Sequence, residues 1–239
     1  MTDRSTADAA SLVPPAPERR PAARTHHGDT FDDPYEWMRD KDDTAVIAHL
    51  EAENAYTQAR TAHLEGLRER IFQEIKGRTQ ETDLSVPSRR GEWWYYGRTV
   101  EGKQYGIQCR APLASPDDWT PPVLSPESEV PGEQVLLDGN VEAEGHEFFS
   151  LGSFEVSNDG TLMLYGVDVA GDERYTLRVR DLRTGENLPD EIPGTGAGAS
   201  FSPDGRHIVY TTMDDAWRPD TVWLHELGTD VAADATLFH

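Results

Sequence analysis

The chain has 239 residues, of which 36% are hydrophobic and 9% aromatic, and a formal net charge of −22. This length is enough to bury a core in one large domain or two small ones. Nucleic-acid phosphates and anionic membranes attract clusters of Lys and Arg, so the strong acidity argues against both as partners, whereas it favours basic ligands. Cys109 is the only cysteine, which excludes an intrachain disulfide and indicates a reducing compartment.

The first 28 residues are rich in Pro, Ala, Arg and Ser and have no periodicity, so we predict a disordered tail over residues 1–28. This stretch has no apolar core typical of a signal peptide, and no apolar run in the chain is long enough to cross a bilayer. We therefore predict a cytoplasmic protein.

Residues 29–80 have a helical pattern. Tyr35 and Trp37 are candidate aromatic anchors, and Asp42 or Asp43 is placed to cap a helix that runs to about Lys76. Gly66 predicts an interruption, giving two helices or one broken helix. An apolar stripe on the second half needs a partner that the rest of the chain does not obviously supply. Its members are Leu64, Leu67, Ile71 and Ile75.

From residue 81 to 239 the period of the pattern changes to two, which predicts β-strands. The stretches EWWYYGR (92–98) and YGIQCRA (105–111) form one predicted hairpin, whose loop contains Gly102. A proline-rich stretch follows from Pro112 to Glu133, and proline is poorly tolerated inside sheets. We interpret this stretch as a surface excursion between two strands.

A phrase of the sequence occurs twice at a fixed spacing. FEVSNDGTLMLYGVD (154–168) and SFSPDGRHIVYTT (200–212) place Gly160 and Gly205, and also Tyr165 and Tyr210, 45 residues apart. A fainter copy places Gly91 69 residues before Gly160. The 24-residue excess is about the length of the proline-rich excursion.

A strand-only repeat of this length is typical of the four-stranded blades of a β-propeller. A generic β-sandwich is the alternative, but a sandwich does not require a fixed period. We therefore predict a mainly β protein with an N-terminal helical segment and a partial β-propeller of about three four-stranded blades. The predicted blades lie near residues 85–150, 152–197 and 198–239.

Two stretches come close to known catalytic motifs but lack an essential residue. GASFS (198–202) has Ser202 where the nucleophile elbow G-x-S-x-G requires glycine, and Ser200 precedes a strand turn and not a helix. HEFFS (146–150) has Ser150 where the zinc motif H-E-x-x-H requires its second histidine. Neither stretch predicts an active site.

The remaining reactive side chains have simpler explanations. Cys109 alternates with Tyr105 and Ile107 on a strand and is predicted to be a packed thiol. Adjacent pairs of histidines and aspartates have no further ligands at metal-binding spacing, and the Asp-Gly pairs suit turns. These pairs are His26–His27, Asp214–Asp215, Asp159–Gly160 and Asp204–Gly205. We predict no catalytic residue, no metal ligand and no cofactor, and the residues do not indicate a substrate-binding site.

An ordered set of stretches resembles the N-terminal part of the prolyl oligopeptidase family of serine peptidases, and oligopeptidase B most closely within it. The set runs in family order from about residue 28 to the end, and Arg218-Pro219 before HELGT is similar to oligopeptidase B. The stretches are DPYEWMRD (33–40), LEAENAYTQA (50–59), LRERIFQEIKGRTQETDLSVP (67–87), EWWYYGRTVEGKQYGIQCR (92–110), LLDGNVEAEGHEFFSLGSFEVSNDG (136–160) and RPDTVWLHELGTD (218–230).

The resemblance implies a seven-bladed propeller combined with an α/β-hydrolase domain, on which the N-terminal helical segment packs. It also implies hydrolysis of short peptides, after Lys or Arg in members like oligopeptidase B, by a Ser/Asp/His triad. The family's triad follows the propeller, so none of its residues can be transferred to this chain. We therefore expect a truncated sequence or a fragment, inactive alone, whose missing partner is the hydrolase domain.

Two alternatives stay open at this point. A non-catalytic propeller that serves as a binding scaffold would contain the same S-P-D-G phrase, and a pseudoenzyme would have lost its hydrolase half. The helical segment favours the peptidase, because a propeller that stands alone does not need an amphipathic helix pair.

Overall fold

The computed structural model describes residues 12–125 and 130–239. The chain divides into two compact units, Met1–Thr79 and Gln80–His239. In the described part of the chain, no helix combines the length and the hydropathy that a membrane crossing requires.

The first unit begins with a β-hairpin, which differs from the tail predicted over residues 1–28. Strands β1 (Ala22–His26) and β2 (Asp29–Asp33) pair in antiparallel register. His27 and Gly28 make the turn between them, both with positive φ. The prediction of disorder is therefore wrong for residues 22–28. The two-residue turn lets β1 and β2 pair, which the composition of this stretch did not indicate. Residues 1–11 of that prediction lie outside the described residues.

Arginine–aromatic contacts attach the segment before the hairpin to the residues after it. The Arg20 guanidinium lies 4.2 Å from the centre of the Trp37 ring, and Trp37 Nε1 donates to the Glu18 carbonyl at 3.0 Å. Arg24 pairs with Asp33 and Glu36 at 3.1 and 2.8 Å. Trp37 is therefore an anchor, as the sequence predicts, and its partner is the extended chain before β1.

The helical pattern becomes two α-helices, α1 (Thr44–Thr61) and α2 (Glu65–Arg78), joined by a 3₁₀ turn at Ala62–Leu64. Asp43 caps α1, since its carboxylate accepts from the Ala45 amide at 2.7 Å. The predicted cap and the predicted interruption are both confirmed. The apolar stripe stays exposed, with exposed fractions of 37% at Leu64, 45% at Leu67, 48% at Ile71 and 62% at Ile75.

The second unit consists of short antiparallel strands in two sheets, and most of its strands fall into three groups that we call blades 1, 2 and 3. Blade 1 contains β3 (Asp83–Leu84), β4 (Ser88–Arg90), β5 (Trp93–Thr99), β6 (Ile107–Pro112) and β7 (Gln134–Asp138). A one-turn helix, α3 (Gly139–Glu142), follows it. Blade 2 contains β8 (Ser150–Val156), β9 (Leu162–Asp168), β10 (Tyr175–Asp181) and β11 (Asn187–Thr195). Blade 3 contains β12 (Ser200–Phe201), β13 (His207–Met213), β14 (Pro219–Glu226) and β15 (Ala235–Phe238).

Each blade is a meander in which consecutive strands pair with each other. In blade 1, β3 and β4 both pair with β5, so its first strand is split around Pro87. A single pair, Thr195 with Thr212, connects the sheets of blades 2 and 3. The predicted fold class, a partial β-propeller with an N-terminal helical segment, is confirmed.

The turn between the first two strands has the same hydrogen bonds in blades 2 and 3. Ser157 Oγ donates to Asp159 at 2.6 Å, and Ser202 Oγ donates to Asp204 at 2.6 Å. Gly160 and Gly205 adopt φ of 72° and 69°, a conformation that favours glycine. These contacts confirm the repeat of 45 residues and explain the Asp-Gly pairs as turns.

Two hydrophobic clusters lie between neighbouring blades. Met163, Tyr165 and Val167 of β9 pack with Leu136 and Leu137 of blade 1 in one cluster, which we call the core of seam 1–2. The core of seam 2–3 contains Leu164, Leu177, Val179 and Ile192 of blade 2 with Ala199, Ile208 and Tyr210. Strand β9 therefore contributes to both seams, because its alternate side chains point to opposite faces.

The proline-rich excursion covers the face of blade 1 that points away from blade 2. Val130 is buried with Tyr96, Cys109 and Ala111, and Leu124 packs beside them. Arg89 donates to the Pro116 carbonyl at 2.7 Å. The excursion is therefore part of the core and not only a surface loop. Residues 126–129 lie outside the described residues.

Candidate functional site

The structure gives the nucleophile-like stretch no catalytic partner. Ser200 begins β12 and pairs with Val209, and the Ser202 hydroxyl is used within its turn. Among the described residues, a hydroxyl group and an imidazole ring are hydrogen-bonded at one place, where the Thr221 hydroxyl lies 2.8 Å from Nδ1 of His239. Thr221 is buried within β14, and none of the described carboxylates pairs with His239. This pair therefore lacks both the access and the third member that a triad needs.

The metal-like stretches also lack a site. His146 lies in the loop between α3 and β8, and Ser150 begins β8. His26 ends β1, and Asp214 accepts from the amides of Ala216 and Arg218 in the β13–β14 turn. Within residues 12–125 and 130–239, no three His, Cys, Asp or Glu side chains converge as metal ligands would.

Cys109 is packed and unreactive, as the strand pattern predicts. Its side chain is 1% exposed between Tyr96 and Ala111. Burial, with a smaller effect of the Glu133 charge, raises the pKa of the Cys109 thiol to about 11. A nucleophilic cysteine needs the opposite shift, because the thiolate is the reactive form.

One end of the propeller carries the turns between first and second strands, and polar side chains join these turns from blade to blade. Arg90 of blade 1 donates to the Asn158 side chain of blade 2 at 2.9 Å. Asn158 in turn donates to the Pro203 carbonyl of blade 3 at 3.1 Å. A cleft of about 130 Å³ lies between the first two turns, lined by Arg90, Trp93, Asn158 and Asp159 among others. Several polar groups therefore surround a small opening at this end.

A half-buried arginine joins blades 1 and 2 beside the core of seam 1–2. The Arg180 guanidinium on β10 donates to Glu142 of α3 at 2.8 Å and to the Leu136 carbonyl of β7 at 3.3 Å. It also donates to the Tyr165 hydroxyl at 3.1 Å. Arg180 and Glu142 are each 18% exposed, so the pair is largely shielded from water.

A buried histidine occupies the matching place at seam 2–3. His225 on β14 is 0% exposed, and its Nε2 lies 3.1 Å from Oδ1 of Asp190 on β11 of blade 2. Its Nδ1 lies 2.7 Å from Oδ1 of Asp234, whose other oxygen accepts from the Tyr210 hydroxyl at 2.7 Å. His225 with two aspartates has the residue types of an acid–base site, yet no hydroxyl or thiol among the described residues bonds to its ring.

Sequence reasoning missed this histidine, although a signal was present. Arg180 and His225 are 45 residues apart, at the same position of the repeat, just before the sequence pairs Asp181-Leu182 and Glu226-Leu227. A polar residue at an inward position of an alternating strand indicates a buried partner. Asp190 and Asp234 carry no such local signal, because their role depends on the neighbouring strands.

The comparisons with known proteins agree with this geometry. The family model for the prolyl oligopeptidase N-terminal β-propeller domain matches residues 14–239. The chain belongs to the prolyl oligopeptidase family. Its members are serine peptidases, and the residues matched are those of the N-terminal domain.

Two curated relatives have similar sequences. Dipeptidyl aminopeptidase BI of Pseudoxanthomonas mexicana is 36% identical over 98% of this chain and 33% of its own length. Protease 2 of Moraxella lacunata is 34% identical over 94% of this chain and 31% of its own length. The chain therefore spans about a third of the length of these relatives.

Solved oligopeptidases have the same fold over nearly the whole chain. Oligopeptidase B from Leishmania major superposes with a TM-score of 0.81 and 30% identity, covering 96% of this chain and 33% of that structure. The closed form of oligopeptidase B from Trypanosoma brucei, with covalently bound antipain, gives a TM-score of 0.79 and 30% identity, covering 94% of this chain and 32% of that one. The predicted resemblance to oligopeptidase B is confirmed.

Proposed function

We propose that this chain is the helical and propeller portion of a serine oligopeptidase that hydrolyses short peptides after Lys or Arg. In this proposal the propeller limits the size of the substrates, and an α/β-hydrolase domain supplies the triad. The observation that carries the proposal is the match of the family's propeller model to residues 14–239, together with three consecutive blades in this chain.

The seams between blades support a role in limiting substrate size. A propeller excludes large substrates only if its blades do not separate easily, and each seam here combines an apolar core with polar contacts across it. At seam 2–3, for example, Ser153 Oγ accepts from the Gly198 amide at 3.0 Å, and Glu155 accepts from the Phe201 amide at 3.0 Å. Such contacts couple neighbouring blades along their inner strands.

The proposed preference for Lys or Arg has two supports. The similarity to oligopeptidase B covers nearly the whole chain. The net charge of −22 would also attract basic peptides over long distances. The charge supports a class of substrate, and the hydrolase domain would determine the cleavage site.

The exposed stripe of α2 supports an interface with the hydrolase domain. Leu67, Ile71 and Ile75 lie one turn apart, and they are 45%, 48% and 62% exposed. An amphipathic helix gains stability chiefly by burying such a stripe. In the proposal, the hydrolase domain covers these residues.

An assay of the natural protein tests the proposal. Antibodies raised against residues 12–239 would isolate it from its source, followed by labelling with a fluorophosphonate and assay on peptide reporters ending in Lys, Arg, Pro or Ala. We expect one labelled serine and cleavage after Lys or Arg, with short reporters preferred over folded proteins. Cleavage after Pro would contradict the specificity. A product without a reactive serine would favour the scaffold or pseudoenzyme.

A matched control uses the purified chain 1–239 by itself. The described residues contain no triad, so we expect no hydrolysis of Lys or Arg reporters above the buffer rate. Turnover that survives repurification and labels a serine in the chain would contradict the assignment of the triad to another domain.

A further inference from the structure

Each of the two described seams contains a basic side chain that bonds to a carboxylate and lies near a tyrosine, but the type of side chain differs. At seam 1–2 this basic residue is Arg180, bonded to Glu142 and Tyr165. At seam 2–3 the equivalent residue is His225, and Asp190 and Asp234 are its partners. Arginine keeps its charge at every physiological pH, whereas histidine is the side chain that gains or loses charge near neutrality.

The hydrogen-bond geometry determines how many protons the His225 ring needs. Both ring nitrogens face carboxylate oxygens, at 2.7 and 3.1 Å. An ionised carboxylate only accepts hydrogen bonds, and a neutral imidazole has only one N–H to donate. When both aspartates are ionised, both contacts are therefore hydrogen bonds only if the ring carries a proton on each nitrogen.

The other groups around the ring also donate to the same carboxylates. The Gly228 amide donates to Oδ1 of Asp190 at 2.5 Å. The Tyr210 hydroxyl, on β13, donates to Oδ2 of Asp234. Burial, together with this bond to Asp234, raises the pKa of Tyr210 above its usual range, so the phenol stays a donor. These charged and titratable groups face His225 from β11, β13 and the segment before β15.

We propose that His225 is held as a doubly protonated imidazolium and is a proton-dependent lock between blades 2 and 3. With both protons, the ring bonds to a carboxylate of each blade across a seam from which water is excluded. If the ring loses one proton, two buried carboxylates face a group that can satisfy only one of them, and burying such an unpaired charge is costly. Seam 1–2, closed by Arg180, has no equivalent response to pH.

The direction of the pH effect follows from the unfolded state. A histidine in an unfolded chain releases its second proton near pH ~6.5. In the proposal, the folded chain holds that proton more tightly than the unfolded chain does. The bonds of the doubly protonated ring then stabilise the fold fully below this pH, and the stabilisation is lost as the pH rises to where the folded ring releases the proton. The proposal therefore predicts that seam 2–3 opens more easily on the alkaline side, while seam 1–2 does not change.

Nuclear magnetic resonance of the whole chain, labelled with ¹⁵N at histidine, tests the protonation directly. At pH 7 we expect both ring nitrogens of His225 to show the shifts of an imidazolium and both to carry slowly exchanging protons. The variant His225→Gln assigns the signals. A neutral tautomer of His225 at pH 7 would overturn the proposal, and this measurement needs only the unmodified chain to be folded.

Hydrogen exchange followed by mass spectrometry tests the lock. We expect the protection factors of the β14 amides to fall by about tenfold or more between pH 6 and pH 9, after correction for intrinsic exchange. The amides of β10, next to Arg180, should not change. In His225→Gln the pH dependence of β14 should disappear, and in Arg180→Gln it should persist. Equal pH profiles for β10 and β14 in the unmodified chain would overturn the lock.

Discussion

Blades 2 and 3 are built from the same repeat, but their surroundings differ. Leu177 and Val179 of blade 2 are each 1% exposed, because blade 3 packs on them. Their equivalents in blade 3, Val222 and Leu224, are only half-buried. The same strand pattern thus gives a complete core position in one blade and a partly open one in the next. Apolar alternation predicts which residues face a seam, and the neighbouring blade determines how much burial they gain.

Equivalent polar positions in blades 2 and 3 also have different surroundings. Arg180 and His225 have equivalent places in the repeat, and each bonds to a carboxylate from a different part of the chain. Blade 2 therefore has an arginine at its seam with blade 1, and blade 3 has a histidine at its seam with blade 2. Four predictions test this comparison.

The largest difference is expected from removing apolar side chains at equivalent positions. Leu177→Ala should lower the free energy of unfolding by about 2–5 kcal/mol, because it leaves a cavity in seam 2–3. Val222→Ala should cost less than about 1 kcal/mol, since its side chain is partly exposed already. Urea titration followed by tryptophan fluorescence measures both. Equal losses would mean that the outer face of blade 3 is covered in solution.

Removing the permanent cation is expected to have the next largest effect. Arg180→Gln should lower stability by about 1.5–3 kcal/mol, the usual value of a charged hydrogen bond, by leaving Glu142 without its partner. The loss should be the same at pH 6 and pH 9, because arginine does not titrate in this range. A loss that shrinks toward pH 9 would contradict the assignment of a permanent charge to this seam.

Two tyrosine hydroxyls allow a smaller, matched comparison. Tyr165→Phe and Tyr210→Phe should each cost about 1 kcal/mol, since each removes a hydrogen bond from a buried phenol. Burial and Asp234 raise the pKa of Tyr210 in the folded chain. The protonated phenol therefore stabilises the fold at pH values below the ordinary tyrosine pKa, about 10, and this stabilisation is lost at higher pH. Stability of the unmodified chain should fall above this pH, and less steeply in Tyr210→Phe.

The smallest effect is expected at the β10–β11 turn of blade 2. Hydrogen bonds from the Arg183 side chain and amide lower the pKa of Asp181 to about 2. Because the pKa is lower in the folded chain, the ionised Asp181 stabilises the fold at pH values above the ordinary aspartate pKa, about 3.9. This stabilisation is lost as the pH falls through about 2. Asp181→Asn should reduce the acid sensitivity slightly, measured as the unfolding midpoint between pH 5 and 2. In blade 3, Glu226→Gln is the control.

Several local features could be predicted from the sequence because neighbouring residues determine them. The Asp43 cap, the Asp-Gly turns and the interruption near Gly66 depend on contacts within a few residues. The hairpin of residues 22–33 was missed because its strands are rich in polar residues, and arginine–aromatic contacts support it. Composition alone does not reveal such contacts.

By itself, the sequence determined the strand period, the 45-residue repeat, the register of Tyr165 with Tyr210 and the family resemblance. All of these depend on spacing along the chain, which a local rule can detect. Only the tertiary structure decided that the proline-rich excursion enters the core of blade 1 and that His225 lies between two aspartates. Asp190 and His225 are 35 residues apart and belong to different blades. Their contact exists because the blades pack face to face, and no local pattern specifies which side chains meet across that seam.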